Sequence, residues 1–198
     1  RFVHRESLEV ISYDADQCQF GYRDSVFKNN LKNKVVITYV CLRLFKNGHT
    51  PKTTYGALTS VLNTWGIKNP TVQEVARAVI QIRDSKLPDP KELGNAGSFF
   101  KNPIISKDAY QALLDKHPTL PSYPAEEGYC KIPAAWLIEQ TGFKGKREGD
   151  AGMHKQHALV LVNYGTASGK DLVAFSHKVQ EAVANKFQIH LVPEVNIL

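Results

Sequence analysis

The spacing of apolar positions changes several times along the chain, and each change marks an element. Residues 1–12 alternate weakly, like the end of a hairpin, and 14–20 form a short polar stretch with room for one helical turn. Val35-Val36-Ile37-Thr38-Tyr39-Val40-Cys41-Leu42-Arg43-Leu44 is dense in β-branched residues and predicts a central strand. Val72, Val75, Val79 and Ile82 then recur at helical spacing. Pro70 precedes them, and Thr71 with Glu74 forms a capping box, so a helix is predicted over 71–85.

Leu87-Pro88-Asp89-Pro90 must be loop or extended chain, because two prolines remove donors and fix φ. A strand is predicted from Phe99 to Ile105, followed by a helix capped by Ser106 and running to about Lys116. The stretch from His117 to Gly128 reads as a long loop, and Gly145 to Gly152 as a second. Pro133 suits the first turn of a helix that stops before Gly142. A buried strand is predicted over 157–163. Ser168 and Asp171 open the longest helix, which ends near Phe187, and Gln188 to Leu198 alternates like a closing strand. Strands and helices do not alternate strictly, so the fold class is α+β, with a mixed or antiparallel sheet and packed helices.

Composition narrows the picture only slightly. The 198 residues are 42% apolar and 22% charged, ordinary for a globular protein with a core of its own. No run reaches the roughly 18 apolar residues of a membrane span, and the charged start at Arg1 does not resemble a signal peptide. The chain starts without Met and in a strand-like stretch, which suggests a piece of a longer protein. Cys18, Cys41 and Cys130 are far apart and form no C-x-x-C pair, as expected of reduced thiols in the cytoplasm. The net charge of +6 is compatible with a phosphate-bearing ligand. Its cations are interspersed with acids rather than clustered, which gives nucleic-acid binding little support.

No catalytic triad or phosphate loop is evident. His4, His49, His117, His154, His157, His177 and His190 lack metal-binding spacing. His154 and His157 flank a predicted strand start, which would send their side chains to opposite faces, so no metal is expected. Three clusters could carry chemistry. Phe20 to Lys28 gathers Tyr22, Arg23, Ser25 and Lys28 at a turn, suited to an anion or simply to a solvated turn with an Arg23–Asp24 pair. Gly94 to Pro103 places two glycines around Ala96, then Ser98, Lys101 and Asn102. It suits close approach to a ligand, or a glycine hairpin with a capping serine. In Pro193-Glu194-Val195 a lone carboxylate sits in an apolar strand, either with a functional partner or on an edge facing water.

Taken in order, these clusters resemble the UDP-N-acetylenolpyruvoylglucosamine reductase family, in its carboxy-terminal part. The resemblance runs through Phe20 to Lys28, Lys86-Leu87-Pro88-Asp89-Pro90, Gly94 to Pro103, Ala134 to Ile138, His154-Lys155-Gln156 and Pro193-Glu194-Val195. Ser122-Tyr123-Pro124 is similar to the tyrosine loop of the family's first type.

The resemblance implies an FAD-dependent, NADPH-using enzyme that reduces UDP-N-acetylglucosamine enolpyruvate to UDP-N-acetylmuramate in peptidoglycan precursor synthesis, in the cytoplasm. It implies a UDP-sugar as ligand, with no nucleic acid or membrane as partner. Ser98 matches the general acid and Glu194 the catalytic carboxylate. Tyr22, Lys86, Asn102 and Tyr123 match positions that hold the UDP portion. His157 stands where some members have a substrate-touching glutamine. Residues 1–85 would complete an FAD-binding domain, 86–187 would bind substrate, and 188–198 would return Glu194 to the site. The FAD-binding half and a catalytic arginine would lie amino-terminal to Arg1, leaving this piece inactive alone. The alternative is a UDP-sugar-binding module without redox activity.

Overall fold

The computed structural model describes every residue except Asn47, Tyr55, Gly56 and Leu198. The chain forms two compact units, Arg1–Thr50 and Pro51–Leu198. The end of the predicted closing strand, at Leu198, lies outside the described residues.

In the first unit, β1 (Phe2–His4), β2 (Val10–Ile11) and β3 (Val35–Ile37) make an antiparallel sheet in the order β2-β1-β3. Phe2 is buried and packs edge-on against Tyr13 and Phe27, with ring centroids 4.9 and 5.4 Å away. The strand predicted over 35–44 is corrected in two respects. Its regular part is Val35–Ile37, beyond which the Thr38 and Tyr39 N–H groups both donate to Arg1 O. It also lies at the sheet edge, with β1 in the centre.

The second unit opens with α1 (Leu58–Thr64) and α2 (Val72–Lys86), which bury Leu58, Leu62 and Ala78 between them. At the start of α2 the capping box forms as predicted. Thr71 accepts from the Glu74 N–H, and the Glu74 carboxylate accepts from the Thr71 N–H at 2.7 Å. The remaining elements are β4 (Gly94–Ser98), β5 (Ile104–Ser106), α3 (Lys107–Lys116), β6 (Tyr123–Pro124), β7 (Tyr129–Lys131), α4 (Ala134–Gln140), β8 (Arg147–Glu148), β9 (Ala151–Met153), β10 (Val160–Asn163) and α5 (Gly169–Phe187).

Two antiparallel sheets result, β4-β10-β9-β8 and β5-β7-β6, so the α+β expectation holds. The apolar side of α5 (Phe175, Val179, Val183, Phe187) shares one core with Phe100, Ile132, Leu137, Ile138, Met153 and Leu161. Burial of this kind is the main stabilising term for a unit of this size.

Of the strand predicted from Phe99 to Ile105, only Ile104 and Ile105 lie in a strand. β4 ends at Ser98 and β5 begins at Ile104, because Pro103 offers no N–H and Asn102 turns its side chain to another helix. Gln188–Ile197 does not form a regular strand; it touches the sheet through a single bridge between Phe100 and Pro193.

Candidate functional site

The site is built around the end of β4. Val160 stands opposite Ser98 and Val162 opposite Asn95, so Ala96 and Gly97 together face Leu161 in a bulge. Gly97 has φ +72°, a conformation that glycine adopts without strain. The predicted glycine hairpin is therefore a bulged strand, because β10 supplies a long-range partner that local composition does not reveal. The bulge re-aims the chain just before Ser98, which is half-buried and makes no side-chain hydrogen bond among the described residues.

Asn95 ties the approach together. Its Oδ1 accepts from the Gly97 N–H at 2.9 Å, and its Nδ2 donates to Leu93 O at 2.8 Å and Pro88 O at 3.2 Å. One side chain thus fixes the proline loop against the bulge. Between them opens a cleft of about 870 Å³, lined by residues that include Arg83, Asp84, Asp89, Glu92, His154 and Gln156.

Glu194 is brought to the same strand end by main-chain bonds. Its N–H donates to Phe99 O at 2.8 Å, and the Lys101 N–H donates to Val192 O at 2.9 Å. Ser98 and Glu194 thus flank one backbone pairing, and the Glu194 side chain is half-buried.

Lys86 ends α2, exposed, and its charge acts on His157. Burial, followed by the cations Lys86, His154 and Lys144, holds the His157 imidazole below its ordinary pKa, with Glu139 pulling the other way. His157 Nδ1 accepts from the Leu159 N–H at 3.3 Å, so the neutral ring carries its proton on Nε2, as a donor. The expectation that His154 and His157 face opposite sides of a strand is corrected. The strand begins only at Val160, and 154–159 is a connecting turn in which the two rings interact electrostatically.

Asn102 has a structural duty. Its Oδ1 accepts from the Ala134 N–H at 2.9 Å, capping α4 from outside the helix, which leaves Nδ2 for other partners. Asn102→Ala is expected to cost about 1 kcal/mol, the usual value of a helix cap, whereas Asn102→Asp retains the acceptor. Denaturant melts that place the two variants at the same stability would show that the cap contributes nothing. Tyr123 pairs with Lys131 in β6 and is exposed. Tyr22 belongs to the first unit, in a tight turn closed by Gly21 N–H to Asp24 O at 3.0 Å. There the Asp24 carboxylate accepts from the Ser25 N–H and from Asn29 Nδ2.

Residues 89–198 match the domain described as "UDP-N-acetylenolpyruvoylglucosamine reductase, C-terminal domain". The chain belongs to the UDP-N-acetylenolpyruvoylglucosamine reductase family. A reductase of that name from Flavobacterium johnsoniae is 48% identical across 99% of this chain and 58% of its own length. One from Chromobacterium violaceum is 50% identical across 96% of this chain and 55% of its own. One from Salmonella typhimurium is 45% identical across 99% and 56%. The chain therefore spans a little over half the length of the reductases it matches.

Two site residues escaped the sequence reading: Asn95, as the tie of the cleft, and His154, as part of its lining. Asn followed two positions later by Gly is a turn signal that could have identified the first. Nothing local marks the second.

The fit of the flavin dinucleotide that the resemblance implies can be tested at the helix starts. Thr71, Ser106 and Ser168 cap α2, α3 and α5, and Asn102 takes the first N–H of α4. One N–H at each of these four helix starts is taken, whereas α1 starts at Ala57 without a side-chain cap. The cleft itself is lined by Arg83, Asp84, Asp89, Glu92, His154 and Gln156, and neither Ser98 nor Glu194 is among its lining residues.

Proposed function

We propose that this chain is the substrate-binding part of an FAD-dependent, NADPH-using reductase of UDP-N-acetylglucosamine enolpyruvate, which forms UDP-N-acetylmuramate for peptidoglycan synthesis in the cytoplasm. The division expected from the sequence belongs to this reading, with 1–85 completing a flavin domain, 86–187 binding substrate and 188–198 carrying Glu194. The observation that carries it is the pairing that sets Glu194 against Phe99, next to Ser98.

FAD, when bound, supplies the hydride, with NADPH as its reductant. The chain's own residues hold the substrate and move its proton. Ser98 gives its hydroxyl proton to the α-carbon of the enolpyruvyl group, which is basic enough to take it once the β-carbon has been reduced. Glu194 acts on the enol form of the carboxylate. Lys86, Tyr123 and the Nδ2 of Asn102 hold the UDP portion, Lys86 through charge-assisted bonds to the diphosphate. His157 donates from Nε2.

One observation favours a second reading, a UDP-sugar-binding module without redox activity: side chains of the chain itself cap the starts of α2, α3 and α5. Full-length protein supplied with NADPH and UDP-N-acetylglucosamine enolpyruvate separates the two. The first reading expects flavin-dependent oxidation of NADPH, with Lys86→Ala raising KM roughly tenfold. A colourless protein that binds the UDP-sugar and oxidises no NADPH would overturn it in favour of the second.

A further inference from the structure

His154 is the one place among the described residues where a buried side-chain polar atom has no partner. The residue is 7% exposed, and its Nδ1 makes no hydrogen bond. Buried polar groups are nearly always paired, and a protonated Nδ1 here would be a donor without an acceptor, costlier than an unused lone pair. The proton therefore sits on Nε2. Burial, then the charge of Lys155, lowers the ring's pKa, in keeping with a neutral imidazole.

The backbone of the residue is also held in place. The His154 N–H donates to Val160 O at 2.8 Å, directly after β9. The residue lines the cleft together with Asn95 and Gly97. Both ends of the Asn95 amide are already used inside the protein, so Asn95 shapes the cleft and has little left to offer a ligand. Asp84, Asp89 and Glu92, also in the lining, suit hydroxyl donors. What the cleft needs from His154 is a donor toward an oxygen.

We propose that His154 is a substrate-binding residue, donating from Nε2 to an oxygen of the nucleotide-sugar that occupies the cleft. The inference rests on the reading that a UDP-sugar binds there. Its neutral N–H suits a hydroxyl, carbonyl or carboxylate oxygen and has nothing to offer an ammonium.

The test is calorimetric titration of UDP-N-acetylglucosamine enolpyruvate into full-length holoenzyme, comparing the unmodified protein, His154→Leu, His154→Gln and Lys86→Ala. Thermal melts of the ligand-free proteins accompany it. His154→Leu is expected to bind about tenfold more weakly and to melt no lower, because leucine removes an unpaired nitrogen from a buried site. His154→Gln, whose amide N–H can take the place of Nε2, is expected within about threefold of the unmodified protein. Unweakened binding by the leucine variant, with Lys86→Ala weakened, overturns the role of His154 and leaves the function reading standing. So does an equal loss in the leucine and glutamine variants accompanied by lower melting, which would make the ring structural. Weakening confined to flavin reduction by NADPH would set the ring against the flavin and likewise overturn it. No binding by the unmodified protein fails the function reading itself.

Discussion

Ser98→Ala in the full-length protein is expected to slow reduction of the enolpyruvyl substrate by about 10²–10⁴-fold, the usual worth of a positioned general acid. Reduction of the flavin by NADPH should stay unchanged. The contrast follows from where the hydroxyl sits. Ser98 ends β4 after the Gly97 bulge, half-buried, with Val160 opposite it. Its hydroxyl holds nothing together among the described residues, so alanine should leave the strand, the bulge and the Asn95 tie in place. What is lost is a proton donor for a carbon that becomes basic only after hydride addition. Stopped-flow measurement of the two half-reactions decides the matter. Equal slowing of both would sink the general-acid role.

Glu194→Gln is expected to lower the same second half-reaction by about 10²-fold, near the low end for acid–base participation. Glutamine keeps the size of the side chain and cannot disturb the main-chain bond to Phe99 O, which uses the Glu194 N–H. The change therefore removes charge and basicity while leaving that main-chain bond in place. A rate equal to that of the unmodified protein, with KM also unchanged, would mean that this carboxylate takes no part.

What the sequence made legible here was local. The Thr71–Glu74 and Ser168–Asp171 capping boxes and the Ser106 cap each span four residues or fewer, and each forms as the pattern predicts. α1 was not legible, because Ala57 at its start makes no side-chain cap and no polar residue announces it. Long-range partners account for the other differences. Phe99–Pro103 lies outside the strands, with Asn102 capping α4, and the glycine turn becomes a bulge because β10 lies beside it. At the site, the residues that resemblance points to were found by their order in the chain. The orphaned nitrogen of His154 exists only once Met153 and Val160 have been brought together around it.

Pro193 adds something to the pairing that delivers Glu194. It sits across from Phe100, and the next residue provides the N–H that reaches Phe99 O. If the tail slid by one position so that Pro193 took the place of Glu194, the carbonyl of Phe99 would meet a nitrogen with no hydrogen. The proline thus works as a one-way ratchet on the tail. It disfavours the slip that would move Glu194 from opposite Phe99 to opposite Ser98 and turn its carboxylate to the other face.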